Sequence, residues 1–277
     1  MLKQVVLQSL AVAPDASSIV YVRRSVEEGK YVRRLWRTAF RGGRSEPLTS
    51  SKASDNRPRY SPDSKSILFI SDRSGKPQVW VISLTCGEPR QVTDMPDGVG
   101  AAEWSPGGKR LLLLAPCGEK RFVVGKAEDP VARRIREYNW KIDGGGYRDE
   151  FTAAWITDVD AGKPRRVTSA AYDVGGAWWS PDGKRIAFLA DMRKDASLHE
   201  LPALWTLPAA RADGKAEPEE LADLAGAVNN MAWAASNQIA YLGSSRVNGP
   251  GWANTELHVL DGTQSRRLAA DHDLNIT

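Results

Sequence analysis

Cysteine and histidine are scarce in this chain, with two and three among 277 residues. Cys86 and Cys117 allow one disulfide at most, so the fold cannot rest on a disulfide framework. Metal centres need clustered ligands at set spacing, which neither the cysteines nor His199, His258 and His272 provide. No metal and no other cofactor is expected. No apolar run is long enough to span a bilayer, and Met1 to Leu10 carries a single lysine and too short an apolar stretch for a secretory leader. Thirty-eight basic against thirty-four acidic residues leave a net charge of only +4, without the single-sign excess of a nucleic-acid binder. These absences predict a cytoplasmic protein with neither membrane nor nucleic acid as partner. Also missing are a Gly-x-Ser-x-Gly nucleophile elbow and any strand–helix alternation to host one. No catalytic residue is therefore expected in the chain itself.

What the chain has instead is a repeated phrase, fullest as Trp179-Ser180-Pro181-Asp182-Gly183-Lys184-Arg185-Ile186-Ala187-Phe188-Leu189. It recurs as Tyr60-Ser61-Pro62-Asp63 and Trp104-Ser105-Pro106-Gly107, and in worn form as Val12-Ala13-Pro14-Asp15 and Trp233-Ala234-Ala235-Ser236. Each copy reads as a strand ending in an aromatic, a Pro-Asp-Gly turn and a second, apolar strand. A third strand follows with its own aromatic, at Trp36, Trp80, Trp155 and Trp205, with His258 in the last copy. A glycine turn and a short closing strand complete the unit, as in Arg90-Gln91-Val92-Thr93 and Arg165-Arg166-Val167-Thr168. Five units of four strands predict an all-β protein, a β-propeller with about five blades over residues 1–277. The tryptophans then belong to blade cores, and His258 is a packing residue.

The first-strand positions 12, 60, 104, 179 and 233 step by 48, 44, 75 and 54 residues. Blades usually run about 40–50 residues, so the third is too long. From turn to third-strand aromatic takes 17 residues in unit two, 23 in unit four and 48 in unit three. The excess is an insertion at about 117–150. Beyond the fifth unit, Asp271 to Thr277 reads as the opening of a sixth blade. The expectation is a truncated propeller, prone to self-association through its open edge.

With the Trp-Ser-Pro-Asp-Gly-Lys repeats, the Arg-Arg-Val-Thr closure and the insertion in view, the chain resembles the N-terminal propeller of the prolyl oligopeptidase family. The acylaminoacyl-peptidase branch is the nearest likeness. Arg134-Ile135-Arg136-Glu137-Tyr138-Asn139-Trp140-Lys141-Ile142-Asp143-Gly144-Gly145-Gly146-Tyr147 is similar to that branch's Arg-x-x-x-Arg-x-Asp-Gly-x-Gly-Tyr segment. Trp140-Lys141 replaces its more usual Arg-Phe-type pair. The resemblance implies a non-catalytic gate above a C-terminal α/β-hydrolase domain absent from this chain, in which a Ser-His-Asp triad would cleave short peptides. It also implies that the insertion contacts the peptide. Arg136 or Arg148 would pair with a carboxylate, Asp149 and Glu150 would receive an amino group, and Tyr138 and Tyr147 would offer flat contact area. Asp143, at the hairpin tip, is expected among the substrate-binding residues with them. Against this stands a solvated hairpin with no binding role. Periplasmic TolB-type propellers carry the same Ser-Pro-Asp-Gly phrase. The rival reading is therefore a freestanding TolB-like or WD40-like propeller acting as a protein-interaction module.

Overall fold

The structure, a computed structural model, describes residues 5–50, 52–118, 120, 123–126, 129–135, 137, 140–142, 146–160, 162–199, 202–210, 214–222, 224, 228–244 and 255–268. It contains five four-stranded sheets, as the repeats predict. The first holds β1 (Val6–Val12), β2 (Ser18–Glu27), β3 (Lys30–Ala39) and β4 (Glu46–Pro47), and the second β5 (Asp55–Tyr60), β6 (Ser66–Ser71), β7 (Gln78–Ser83) and β8 (Arg90–Gln91). In the third, β9 (Ala101–Trp104) and β10 (Arg110–Pro116) are separated from their partners by two small hairpins. These are β11 (Val123–Lys126) with β12 (Asp129–Arg133), and β13 (Lys141–Ile142) with β14 (Gly146–Tyr147). The sheet then completes with β15 (Thr152–Asp158) and β16 (Arg165–Arg166). The fourth holds β17 (Gly176–Trp179), β18 (Arg185–Ala190), a four-residue helix α1 (Ala196–His199), β19 (Ala203–Pro208) and β20 (Glu219–Ala222). The fifth is β21 (Val228–Trp233), β22 (Ile239–Gly243), β23 (Glu256–Asp261) and β24 (Gln264–Arg267). Both hairpins lie between β10 and β15.

The repeated phrase is a hairpin whose side chains close its own turn. In the fourth sheet Ser180 Oγ donates to Asp182 Oδ1 at 2.6 Å and accepts from Arg185 N at 2.9 Å, while Asp182 Oδ1 accepts from Lys184 N at 3.0 Å. Gly183 N donates to Ser180 O at 2.8 Å, a type I turn with proline in its preferred place. Ser61, Asp63, Lys65 and Ser66 repeat the side-chain bonds in the second sheet. The residue ending the turn has positive φ in all five copies: Ala16, Ser64, Gly108, Gly183 and Asn237.

In the first three sheets the closing strand is shorter than the sequence pattern predicts, and a threonine is the cause in each. Thr93 Oγ1 accepts from Val79 N at 2.9 Å while Val92 N donates to Val79 O at 2.8 Å, so a side chain replaces the backbone partner. Thr49 does this to Leu35 and Thr168 to Ala154. The ladder ends there, after two residues in each of β4, β8 and β16. The fifth closing strand also lies earlier, at Gln264–Arg267, where the expectation began at Arg267.

The chain forms two compact units, Met1–Ala115 with Trp155–Arg165, and Pro116–Ala154 with Arg166–Thr277. In the first unit, Val20, Val22 and Leu35 of the first sheet pack on Tyr60, Ile67, Phe69 and Ile82 of the second. The second sheet's other face, Leu68, Ile70, Val79 and Val81, packs on Trp104, Leu111 and Leu113 of the third. In the second unit, Ala187, Leu189 and Leu204 meet Met231, Ile239, Tyr241 and Leu260. Strands covered on both faces read as continuous apolar runs, and β6 and β18 are buried at every position after their first. By contrast β22 alternates buried and half-buried residues, and so do Ser18 to Tyr21 of β2.

Candidate functional site

The insertion leaves the third sheet where Cys117 N donates to Phe151 O at 3.0 Å. Its second hairpin is fastened by Lys141 paired with Tyr147 and by Arg148 N donating to Trp140 O at 2.9 Å. Trp140 stacks on Tyr147 with ring centroids 5.7 Å apart. The Arg133 guanidinium lies 4.0 Å from the centroid of the Tyr147 ring and donates to both Asp149 oxygens at 3.0–3.2 Å. Each contact uses the planarity of arginine, bidentate on a carboxylate and flat on an aromatic face. The acidic pair is thus engaged from within the chain. Asp149 pairs with Arg133, and Glu150 with Lys120 while also accepting from Gly118 N at 3.3 Å.

Arg148 pairs instead with Asp173, which precedes β17 and whose Oδ1 accepts from Thr152 N at 2.7 Å. The pair borders a cavity of about 560 Å³ formed within the second unit. Phe151, Tyr172, Leu189 and Met192 supply its apolar wall, and Asp191, Arg193 and Lys194 add charge. Tyr172 is held by stacking on Phe188 at 5.9 Å, and burial pushes its phenol above the ordinary tyrosine value. Asp191 and Arg193 form a fork-shaped ion pair, with one bond of 2.8 Å from Nε to Oδ1. An apolar wall with a few convergent charges is the usual make-up of a ligand site. Among the described lining residues there is no serine, threonine, cysteine or histidine. The cavity is equipped to hold a chain with polar ends and an apolar body.

A larger groove of about 770 Å³ lies in the first unit. Its rim is made of repeat turns at Ser61, Asp63 and Gly107, and two of its polar groups are committed to one another, Ser61 Oγ to Asp63. It is a product of the scaffold.

Two further titratable groups stand out. Burial pushes the Glu103 carboxyl on β9 up to about 7, against the opposing charge of Arg59. In the fifth sheet, Ser265, His258 and Glu256 lie in series, with Ser265 Oγ 3.5 Å from His258 Nδ1 and His258 Nε2 3.4 Å from Glu256. A nucleophile and its base need about 2.6–3.2 Å, and the Ser265 hydroxyl is already bound to Tyr241 Oη at 2.6 Å. His258 is 5% exposed and stacks on Tyr241 at 4.9 Å, in keeping with its expected packing role.

Of the sequence-predicted site residues, Arg136, Tyr138 and Asp143 lie outside the described residues. Only Arg148 of the remaining four lines the cavity. Tyr147, Asp149 and Glu150 brace the insertion around it. The sequence reading missed Tyr172 and Asp173, on the connection between the third and fourth sheets, and Asp191 and Arg193, on the connection from β18 to β19 within the fourth. Their one signal is that Asp173 and Asp191 stand outside the turn aspartates.

Residues 4–134 match the PD40 family, described as the TolB β-propeller domain. The peptidase YuxL of Bacillus subtilis, itself uncharacterised, is 32% identical over 197 residues, covering 67% of this chain and 30% of YuxL. The Tol-Pal system protein TolB 1 of Novosphingobium aromaticivorans is 35% identical over 68 residues, 24% of this chain and 15% of that protein. Among solved structures, the acylaminoacyl peptidase of Pyrococcus horikoshii superposes with a TM-score of 0.71 at 16% identity, covering 98% of this chain and 41% of that one. That likeness shows the fold. The chain spans well under two thirds of the length of these relatives. It is a TolB-like PD40 β-propeller, of the kind carried by the prolyl oligopeptidase family and its acylaminoacyl-peptidase branch.

Proposed function

We propose that this propeller is the gating and substrate-contact part of a serine oligopeptidase or acylaminoacyl peptidase. Hydrolysis of short peptides would be performed by a Ser-His-Asp triad in an α/β-hydrolase domain outside these 277 residues, in the cytoplasm. The similarity to YuxL over 197 residues carries this reading, since it links the repeats and the insertion to a peptidase. The cavity supports it with chemistry. A carboxylate end of a peptide would meet Arg148 and Arg193, an amino end Asp173 and Asp191, and apolar side chains Phe151 and Tyr172.

The test has two parts. An antibody raised against the chain should detect a native polypeptide of well over twice its mass in source-cell extract. Short N-acylated peptides should bind the chain, and Arg148→Ala should weaken that binding about tenfold, the loss of one charge-assisted contact. A native band at the chain's own mass, without peptide binding, favours the second reading, a freestanding TolB-like interaction module. The PD40 match and the similarity to TolB 1 support that alternative.

A further inference from the structure

A small cavity of about 400 Å³ lies wholly within the first unit. Ile70 of β6, Pro77 and Val99 give it an apolar lining, in which Ile70 and Val99 are 6% and 2% exposed. Its polar lining includes Ser9 of β1, Arg57 of β5 and Asp72, which follows β6. The size falls at the lower end of ligand pockets, which run about 300–1,000 Å³. The backbone that presents Ser9 and Arg57 is irregular in the same way in two adjacent sheets. β1 breaks register between Gln8 and Leu10, and β5 between Asn56 and Arg59. Both residues occupy the left-handed region, with φ of 43° and 52°, where glycine would sit without strain. The corresponding strands β9 and β17 keep register throughout, so the repeat does not require the break. A bulge re-aims the side chain it carries, and strained non-glycine residues gather at ligand sites.

Arg57 and Asp72 carry opposite charges, yet they do not pair with one another. Among the described residues the Arg57 guanidinium has no hydrogen-bond or ion-pair partner. Asp72 Oδ1 accepts from Ser54 N at 2.8 Å, which holds the carboxylate in place, and Oδ2 accepts from no described residue. One open cation, one open carboxylate oxygen and an apolar lining suit a ligand that bears both charges on a short apolar body. We propose that this cavity binds a free α-amino acid with an aliphatic side chain. The carboxylate meets Arg57, the ammonium group meets Asp72, and the side chain lies against Ile70, Pro77 and Val99. A guanidinium can hold a carboxylate through two parallel bonds, which fixes the ligand's orientation. The site shares no residue with the cavity beside Arg148 and does not depend on a peptide being gated there.

Isothermal titration calorimetry of the 277-residue chain with L-leucine tests this. Leucine should bind saturably at one site. Leucinamide, without the carboxylate, and N-acetyl-leucine, without the ammonium charge, should each bind about tenfold more weakly, the loss of one charge-assisted contact. Arg57→Gly removes the cation and relieves the left-handed backbone. That variant should unfold at a higher temperature than the wild type and lose about tenfold in leucine affinity. Asp72→Asn keeps the oxygen that accepts from Ser54 N, and should weaken leucine about tenfold while leaving N-acetyl-leucine unchanged. In NMR spectra leucine should shift the amides of Ser9, Arg57, Val99 and Gly100. Absence of saturable binding would overturn the proposal, and so would equal affinity for leucine and its two blocked forms, which would leave only an apolar contact. Unchanged leucine affinity in Arg57→Gly, or amide shifts confined to Arg148 and Tyr172, would overturn it as well.

Discussion

One backbone slot, the positive-φ residue that ends the repeat turn, is filled by glycine twice and by Ala16, Ser64 and Asn237 elsewhere. A side chain in the left-handed region costs about 1–2 kcal/mol, less what glycine loses in entropy. Ala16→Gly should therefore stabilise the chain by a few tenths to about 1 kcal/mol, read as a higher urea midpoint at unchanged slope. Glu103 makes a second case. Its carboxyl titrates near 7 in the fold and near the usual 4.5 when unfolded. Between those values the unfolded chain releases a proton that the folded chain keeps, so stability falls as pH rises from 4.5 to 7. The full effect is on the order of 3 kcal/mol. Glu103→Gln should abolish that fall, leaving the variant the more stable form at pH 8 in denaturant titrations. Asp63 and Asp182 act oppositely. Hydrogen bonds from Ser61 and Ser180 hold them below the usual carboxylate value, so their contribution is present above about pH 4 and is lost as pH drops through those depressed values. The turn aspartates were legible in the sequence because their partners are two residues away. The state of Glu103 was not, because its burial is contributed by residues distant in sequence.

At the scale of elements, β16 depends on a turn that admits no side chain at Gly162. A Cβ there would lie 2.4 Å from Asp158 N and 2.7 Å from Thr157 Oγ1, which itself donates to Gly162 O at 2.9 Å. Gly162→Ala should cost about 1–3 kcal/mol, seen as a lower thermal midpoint. Substitution at Gly87, where an added Cβ meets nothing within 4 Å, tests backbone strain alone. Strand order was readable from spacing, since period and turn chemistry recur in every unit. Strand ends were not. Where β4, β8 and β16 stop depends on whether Thr49, Thr93 and Thr168 turn their hydroxyls back onto the third strand, a choice of rotamer that composition does not reveal. The cavity was hidden for a similar reason. Arg148 was singled out by its place in the insertion, but its partner Asp173 comes from a connection that looks like ordinary linker.

For the molecule as a whole, the insertion is an appendage on a repeating frame. Cys117 and Phe151 are hydrogen-bonded at its base, and none of the described residues of 123–147 belongs to the three buried core clusters described above. Replacing 123–147 by a short glycine–serine linker should move the thermal midpoint by no more than about 3 °C. A drop beyond about 10 °C would make the insertion a structural part of the frame. The repeated turn also has a consequence in time. The same hairpin is written five times in one chain with different fluency, complete at β17–β18 and worn at β1–β2 and β21–β22. A hairpin closes in about 1–10 μs when its turn is favourable, so folding should begin in the interior of the chain and reach its ends last. In a refolding experiment read by pulsed hydrogen exchange, the amides of Lys184 and Arg185 should be protected before those of Ser17 and Ala234.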